Sequence, residues 1–490
     1  MSDNEKKEVR RPYAGPTAPS RRGFLAAGAG ASVLVASAGA LAASTAEAGE
    51  YKGKSKGHVI VIGGGFAGCT ASRELSRSGY KVTLLEARNR LGGRTFTSKF
   101  AGEMVDMGGT WVHWSQPHVW SEIRRYGMEL DETVGAVAEN VIYIDYDGKR
   151  HEAKWSDIWP TAEDHDKVWR KYYPDAYEMM PFPSMPFQDL KWIETDNITM
   201  QEKLDTADLS EIEKIYIDCY HSTCGANAMD QVSYAYILRW YAHAGYSGTC
   251  INDLGLRFKI KGGTKALLEK IIGDANADIH LSTPVRKVTQ TKNGVEVLTD
   301  TDKKFTADAV VCAMPQNVLR DVEFSPALPA GKLKASEDTH AGSGTKLHVQ
   351  LEGEYEAFGG WAPGGDVPIN YVLWDSAKNG HTHLICFGPG TDTLDMNDTE
   401  AVQKAIETFL PDAKVIQAFG YGWNDDPYSQ GVWFSPRPGQ AYGILEDMQS
   451  SHGRIHFASG DWANSWRGFI DGAIEQGLVA ADKVRDQLKG

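Results

Sequence analysis

The sequence predicts an α/β fold with a parallel sheet, and three features near residue 60 support this prediction. Residues 59–62 form an unbroken apolar run, as expected for a buried parallel strand. Three glycines with GxGxxG spacing follow this run: Gly63, Gly65 and Gly68. A helix is predicted over residues 68–78, and a second apolar strand, residues 81–85, ends at the acidic Glu86.

This order of strand, glycines, helix and acid is typical of a dinucleotide site. The glycines allow a tight turn, a close approach of the backbone to a pyrophosphate, and close packing of the helix on the sheet. The positive end of the helix dipole favours the diphosphate. Glu86 is placed to accept the ribose hydroxyls. The sequence therefore predicts a dinucleotide-binding protein.

The residues after Glu86 favour FAD over NAD. They read A-R-N-R-L-G-G-R, and a second glycine pair follows at residues 108–109. A cofactor buried along its whole length needs glycines where the backbone passes close to it, and an arginine to neutralise phosphate. A glycine-rich surface loop of an NAD enzyme is the alternative. The candidate cofactor residues in this region are Arg88, Gly93, Arg94, Gly109 and Thr110.

Residues 86–94, which read E-A-R-N-R-L-G-G-R, resemble the signature of the flavin-containing amine oxidase family, the monoamine and polyamine oxidase group. The resemblance covers essentially the whole mature chain. It implies a discontinuous Rossmann-like FAD-binding domain with an inserted mixed-sheet and helical substrate domain. It also implies further cofactor contacts at Val285, Gly460, Asp461 and Ile470. Ser459 and Gly460 stand in the opposite order to the family pattern, which leaves the local turn open.

The resemblance divides the chain between two domains. We expect residues 58–115, 255–330 and 435–490 in the FAD-binding domain. We expect residues 116–254 and 331–434 in the substrate domain.

The N-terminal region reads as an export signal followed by a linker. Residues 20–25, S-R-R-G-F-L, match a twin-arginine signal, and no charge follows until Glu47. We therefore expect residues 1–48 to be a signal peptide, residues 49–57 a polar linker, and the enzyme to be periplasmic, or cytoplasmic if the signal is not used. A membrane anchor is the alternative, and the many Gly, Ala and Ser residues disfavour stable membrane insertion.

The net charge and the cysteines argue against a nucleic-acid partner and against a metal site. The formal net charge of −14 argues against nucleic acid as a partner and favours cationic substrates. The six cysteines show no CxxC spacing and no accompanying histidine cluster, so we expect buried thiols and no metal site. The expected oligomer is a homodimer.

Three residues are the candidate catalytic set. Lys346, in G-S-G-T-K-L-H-V, matches the lysine that in these oxidases holds a water against flavin N5. Trp433 and Phe469 match the two walls of the family's aromatic cage, which desolvates the amine and aligns its lone pair. The alternatives are that Lys346 is an ordinary surface lysine and that Trp433 and Phe469 are core residues. Trp111 and Tyr371 are weaker candidates for the substrate pocket.

Val432 stands where the mammalian monoamine oxidases carry a cysteine that bonds the flavin. Valine cannot form this bond, so we expect non-covalent FAD.

The segments 111–120, 421–429 and 466–472 resemble the bacterial nicotine-catabolism branch of the family. This resemblance favours pseudooxynicotine, a secondary amine with a heteroaromatic ketone, as substrate. Hydride transfer to flavin N5 would give an imine that hydrolyses to an aldehyde and methylamine. O2 and a cytochrome c are equally open as electron acceptor.

Nicotine oxidation or oxidation of another amine remains an alternative. An L-amino-acid oxidase would need an arginine for the substrate carboxylate, for which Arg437 and Arg467 are the candidates. A catalytically silent flavoprotein would be expected to lack Lys346 or the cage.

Overall fold

The structure, a computed structural model, describes residues 55–365, 367–390 and 394–489. The predicted signal peptide and most of the predicted linker lie outside these residues. All described residues belong to one compact unit.

The described residues form these strands in chain order: β1 (His58–Ile62), β2 (Lys81–Leu85), β3 (Thr97–Phe100), β4 (Glu103–Asp106), β5 (Leu130–Glu132), β6 (Asn140–Ile144), β7 (Arg150–Lys154), β8 (Phe258–Ile260), β9 (Ala277–His280), β10 (Val285–Thr291), β11 (Gly294–Thr299), β12 (Lys304–Ala307), β13 (Ala309–Cys312), β14 (Glu323–Ser325), β15 (Thr345–Glu352), β16 (Phe358–Trp361), β17 (Tyr371–Lys378), β18 (His381–Gly388), β19 (Val415–Gly420) and β20 (Ile455–Phe457).

They also form these α-helices: α1 (Phe66–Arg77), α2 (Pro117–Tyr126), α3 (Trp155–Ile158), α4 (Ala162–Tyr172), α5 (Ala176–Met179), α6 (Met200–Thr206), α7 (Glu211–Gly225), α8 (Tyr234–His243), α9 (Gly248–Leu256), α10 (Thr264–Gly273), α11 (Ala330–Asp338), α12 (Thr399–Glu407), α13 (Gln440–Gly443), α14 (Leu445–Gln449) and α15 (Ile470–Leu488). Short 3₁₀ helices cover Val134–Val137, Lys191–Thr195, Met229–Gln231, Gln316–Asp321 and Gly460–Trp462.

The glycine-rich turn lies in a five-stranded parallel sheet with strand order β20-β13-β1-β2-β9. The side chains of β1 alternate between two buried layers. Val59 and Val61 pack in a cluster with α1, α10 and α15, whereas Ile60 and Ile62 pack toward the sheet β12-β11-β10-β14. Burial on both faces explains why the strand is apolar throughout. The predicted α/β fold class is confirmed.

The largest sheet of the described residues is a seven-stranded mixed sheet with strand order β19-β15-β18-β17-β16-β6-β7. The apolar positions of β15, namely Leu347, Val349 and Leu351, are fully buried in the cluster that includes α12. The alternate positions Lys346 and His348 make contacts on the opposite side of the strand. The strands of this sheet come only from residues that the sequence assigns to the substrate domain, whereas the domain boundaries themselves stay a prediction.

Helix α1 begins at Phe66, two residues before the predicted start, because Gly65 already serves as its N-cap.

Each of the six cysteines is a free thiol. None of the described helices combines the length and the apolar character needed to cross a bilayer.

Gly68 sets the packing of α1 against the glycine turn. A Cβ atom at this position would lie 1.9 Å from the carbonyl oxygen of Gly63, so the helix could not keep its place. We predict that Gly68→Ala lowers the free energy of unfolding by about 2–3 kcal/mol through overpacking. Gly273→Ala is the matched control, since a Cβ there meets nothing within 4 Å. Equal stability of the two variants by denaturant unfolding would contradict this reading of the turn.

Candidate active site

One cavity of about 570 Å³ connects the glycine turn with Lys346. Gly68, Asp461 and Tyr371 are absent from its walls. The other predicted site residues line it together: Gly63, Gly65, Glu86, Arg88, Gly93, Arg94, Gly109, Thr110, Trp111, Val285, Lys346, Trp433, Gly460, Phe469 and Ile470. Residues from both sheets therefore form one continuous site.

At one end of the cavity, Glu86 closes the glycine turn. It lies directly after β2, is 3% exposed, and accepts hydrogen bonds from the backbone N–H groups of Gly64 (2.6 Å) and Arg88 (2.8 Å). The N–H of Gly92 donates to the carbonyl of Gly64 (2.9 Å), so the pair Gly92–Gly93 packs on the glycine turn. The N-terminus of α1 faces this part of the cavity, which favours an anion.

Arg88 is held by the segment after β19. Its guanidinium donates to both carboxylate oxygens of Asp426 (2.6 and 3.1 Å) and to the Ser429 hydroxyl (2.7 Å). Pairing with Arg88 outweighs burial, the largest single influence, and keeps the pKa of Asp426 below its ordinary value. Residues 427–430 line the cavity beside Val285.

Asp461 is absent from the cavity lining, and its contact with the cofactor stays a prediction. Its carboxylate accepts from Arg94 (2.5 Å) and from the Gln316 N–H (2.9 Å). Burial alone would raise its pKa, but Arg94 and these hydrogen bonds hold the pKa below its ordinary value. Asp461 therefore fixes Arg94, which also donates to the Val432 carbonyl (2.9 Å) and does line the cavity.

The N-terminus of α15 forms another part of the wall. Phe469 is the N-cap of this helix, and Ile470 is its first residue. Gly460 approaches from the preceding 3₁₀ helix, whose N-cap Ser459 accepts from the Asp461 N–H (3.3 Å). The Ser-Gly order thus forms a capped turn.

Lys346 occupies a fully enclosed position on β15. Its ammonium donates to the carbonyls of Asp106 (2.8 Å) and Gly108 (3.0 Å) and to the Thr110 hydroxyl. Its nitrogen also lies 4.6 Å from the ring centroid of Trp111. Burial lowers the pKa of Lys346 from its ordinary 10.5 to about 7, although the Asp106 carboxylate opposes this change.

Aromatic side chains surround Lys346 and the space next to it. Trp433 donates from its indole N–H to the Cys224 carbonyl (2.8 Å), which fixes the orientation of its ring. Phe469 packs edge-on against Trp240 with ring centroids 4.6 Å apart. The remaining walls include Trp111 and Phe387. We call the group Trp111, Trp240, Phe387, Trp433 and Phe469 the aromatic pocket.

Two members of the aromatic pocket, Trp240 and Phe387, are missing from the sequence prediction. Phe387 is the register partner of Lys346 across β15 and β18, so a correct strand pairing would have found it. Trp240 lies in the aromatic-rich helix α8, where nothing in the spacing separates a pocket residue from the core.

The structure does not place Tyr371 in the pocket. It lies one strand further on, as the register partner of Phe387, with 3% exposure in the core cluster beneath the pocket. Arg437 and Arg467 also lie outside the cavity lining. Arg467 is buried and donates to the carbonyls of Ala463 (3.1 Å) and Ala441 (2.5 Å).

The residues that line the cavity fit a flavin dinucleotide. A Cβ at Gly65 would project into free space, with its nearest neighbours 3.9 Å away, so the absent side chain leaves a cradle at the N-terminus of α1. Glu86, Arg88 and Val285 would hold the adenosine part, and Arg94, Gly109 and Ile470 the part nearer Lys346. In the described part of the chain, His, Cys, Asp and Glu side chains form no group able to hold a metal ion.

A dinucleotide turn joined by one cavity to an aromatic pocket around a buried lysine defines a flavin-dependent amine oxidoreductase. The flavin containing amine oxidoreductase family matches residues 66–485, and the chain belongs to this family.

Similar proteins cover almost the whole chain. It is 41% identical to a pseudooxynicotine dehydrogenase from Pseudomonas sp over 484 residues, or 96% of each chain. It is 34% identical to the nicotine dehydrogenase of Pseudomonas putida (strain DSM 28022 / S16) over 480 residues, covering 96% of this chain and 98% of that one.

Solved structures share the fold. Putrescine oxidase bound to putrescine superimposes with a TM-score of 0.75 at 21% identity, covering 88% of this chain and 99% of that chain. Cyclohexylamine oxidase from Brevibacterium oxydans IH-35A gives a TM-score of 0.71 at 19% identity, covering 89% and 100%.

The Gly65 cradle can be tested without disturbing the fold. We predict that Gly65→Val reduces the flavin content of purified protein at least tenfold, because its side chain fills the space for the diphosphate. The far-UV circular dichroism should stay unchanged, since the Cβ meets no neighbour closer than 3.9 Å. Full flavin occupancy in a folded variant would show that the cofactor does not lie in this cradle.

Lys346 should make stability depend on pH. Between pH 7 and 10.5 the unfolded lysine binds a proton that the folded one has lost, so the stability of the wild type rises with pH across this window. Lys346→Met lacks this contribution. We predict that the melting temperature of the variant relative to wild type is highest below pH 7 and falls by about 2 °C or more as the pH rises through the window. A pH-independent difference would mean that Lys346 is not titrated there.

Proposed function

We propose that this enzyme oxidises a secondary amine, with pseudooxynicotine as the substrate, to an imine that hydrolyses to an aldehyde and methylamine. The observation that carries the proposal is the aromatic pocket around Lys346. None of the five aromatic residues carries a charge, and the charged side chains of the cavity lining besides Lys346 are Glu86, Arg88, Arg94 and Asp321.

The composition of the pocket favours a singly charged, aromatic amine over two other classes. A polyamine would need a carboxylate for its second ammonium group, and an amino acid would need an arginine for its carboxylate. Arg88 and Arg94 line the cavity but are paired with Asp426 and Asp461. An L-amino-acid oxidase is therefore disfavoured.

Similarity to the pseudooxynicotine dehydrogenase over 96% of both chains supports this choice of substrate. Nicotine is the second candidate, because the nicotine dehydrogenase also matches almost the whole chain, although at 34% identity. The two substrates are distinguished by their products. Hydrolysis of the acyclic N-methylimine from pseudooxynicotine releases methylamine, whereas hydrolysis of the cyclic iminium from nicotine opens the ring and leaves the amine attached.

When bound, the flavin supplies the two-electron acceptor that takes the hydride from the carbon next to nitrogen. The residues of the chain prepare the amine for this loss. Trp433 and Phe469 exclude water from the amine, which lowers its pKa and favours the neutral form with a free lone pair. Lys346 would hold a water beside the reacting centre, in exchange for one of its present acceptors.

Val432 lines the cavity next to Trp433 and has no nucleophilic atom, which supports non-covalent FAD. Release of the flavin from denatured protein by ultrafiltration would test this. Reoxidation by O2 and by a cytochrome c, assayed separately on reduced enzyme, tests the two proposed acceptors.

The substrate and the pocket can be tested together. We predict that wild-type enzyme converts pseudooxynicotine to an aldehyde and one equivalent of methylamine, and that Phe469→Leu or Trp433→Leu lowers kcat/KM at least about tenfold through loss of an aromatic wall. Tyr371→Phe is the matched control and should leave kcat/KM unchanged, because the ring lies outside the cavity. Absence of methylamine would rule out this substrate, whereas a strong effect of Tyr371→Phe would contradict the pocket assignment.

A further inference from the structure

The hydrogen-bond partners of Lys346 determine how its nitrogen can be protonated. Two of its three acceptors, the carbonyls of Asp106 and Gly108, can only accept. The third, the Thr110 hydroxyl, can both accept and donate. Thr110 lines the cavity but is only 5% exposed, so water has little access to this contact.

The hydroxyl of Thr110 has one hydrogen and two places for it. In the structure it donates to the Gly108 carbonyl at 2.9 Å, and its oxygen then accepts from Lys346. This arrangement gives every N–H of an ammonium group its own acceptor. When Lys346 loses a proton, its lone pair needs a donor, and the two carbonyls cannot provide one.

We propose that Thr110 is a positioning residue that sets the protonation state of Lys346 by turning its hydroxyl between Gly108 and the lysine nitrogen. With a charged lysine, the hydroxyl hydrogen points to Gly108. With a neutral lysine, it points to the nitrogen, and the two N–H groups keep both carbonyls. The bond to the ammonium is charge-assisted and is the stronger of the two, so Thr110 favours the charged form.

The other charged and titratable groups around Lys346 act on it only at a distance or through the Asp106 carbonyl. The carboxylates of Asp106 (β4) and Asp375 (β17) favour the charged lysine, and Lys259 (β8) opposes it. His348 (β15) contacts the Asp106 carbonyl through Nε2 at 3.1 Å, and its Nδ1 lies 3.1 Å from Nε2 of His383 (β18). Burial lowers the pKa of both imidazoles. Among the described residues that contact the lysine nitrogen, Thr110 is therefore the one that can both donate and accept.

Substitution at Thr110 separates the hydroxyl from the shape of the side chain. Thr110→Ser keeps the hydroxyl, whereas Thr110→Val keeps the shape and removes it. Thr110→Ala removes both and serves if the valine variant does not fold. Each variant is also made with Lys346→Met, because the stability difference within each pair isolates the titration of Lys346 at any pH.

We expect the midpoint of this titration near pH 7 in wild type and Thr110→Ser, and about one pH unit lower in Thr110→Val and Thr110→Ala. The pH dependence of the visible absorbance of bound flavin provides a second readout, in which the same ranking is expected. Equal midpoints in all four proteins, or an equal shift in Thr110→Ser and Thr110→Val, would overturn the proposal. Because neither readout uses an amine, the result is independent of the proposed substrate.

Discussion

The backbone at residues 106–110 is the constraint on which the site depends. Asp106 uses its carboxylate to accept from the Thr264 N–H at the start of α10 (3.1 Å) and its carbonyl to accept from Lys346 (2.8 Å). The strand that ends at Asp106 therefore ties a helix packed on the parallel sheet to β15, the second strand from one edge of the seven-stranded sheet. Since both bonds are buried, loss of either would leave an unsatisfied polar group. The aromatic pocket lies where these layers are joined.

Two consequences follow from this junction. Lys346 is buried, so its pKa falls toward neutrality, and its protonation depends on the few atoms that contact it. The pocket walls come from distant parts of the chain, since Trp111 follows β4, Trp240 lies in α8 and Trp433 follows β19. The aromatic walls suit the desolvation of an amine better than recognition of a carboxylate.

The nucleotide half of the site could be predicted from sequence because it is local. Strand, glycines, helix and Glu86 lie within 30 consecutive residues, and each has a backbone reason for its type. The family pattern also indicated Lys346, Trp433 and Phe469. Tyr371 and Asp461 are buried outside the cavity lining, and a sequence pattern cannot tell which layer a buried side chain occupies. Phe387 and Trp240 depend on long-range strand pairing and helix packing, which no local spacing encodes.

Anaerobic mixing of the purified, flavin-loaded enzyme with pseudooxynicotine shows whether the aromatic pocket holds this amine for oxidation. If the aromatic pocket around Lys346 positions a secondary amine for hydride loss, the visible absorbance of oxidised flavin should bleach in a single turnover, and Lys346→Met should bleach more slowly at equal flavin content. Persistent oxidised flavin in the wild type at saturating pseudooxynicotine, together with bleaching by an unrelated amine, would contradict the account of the pocket.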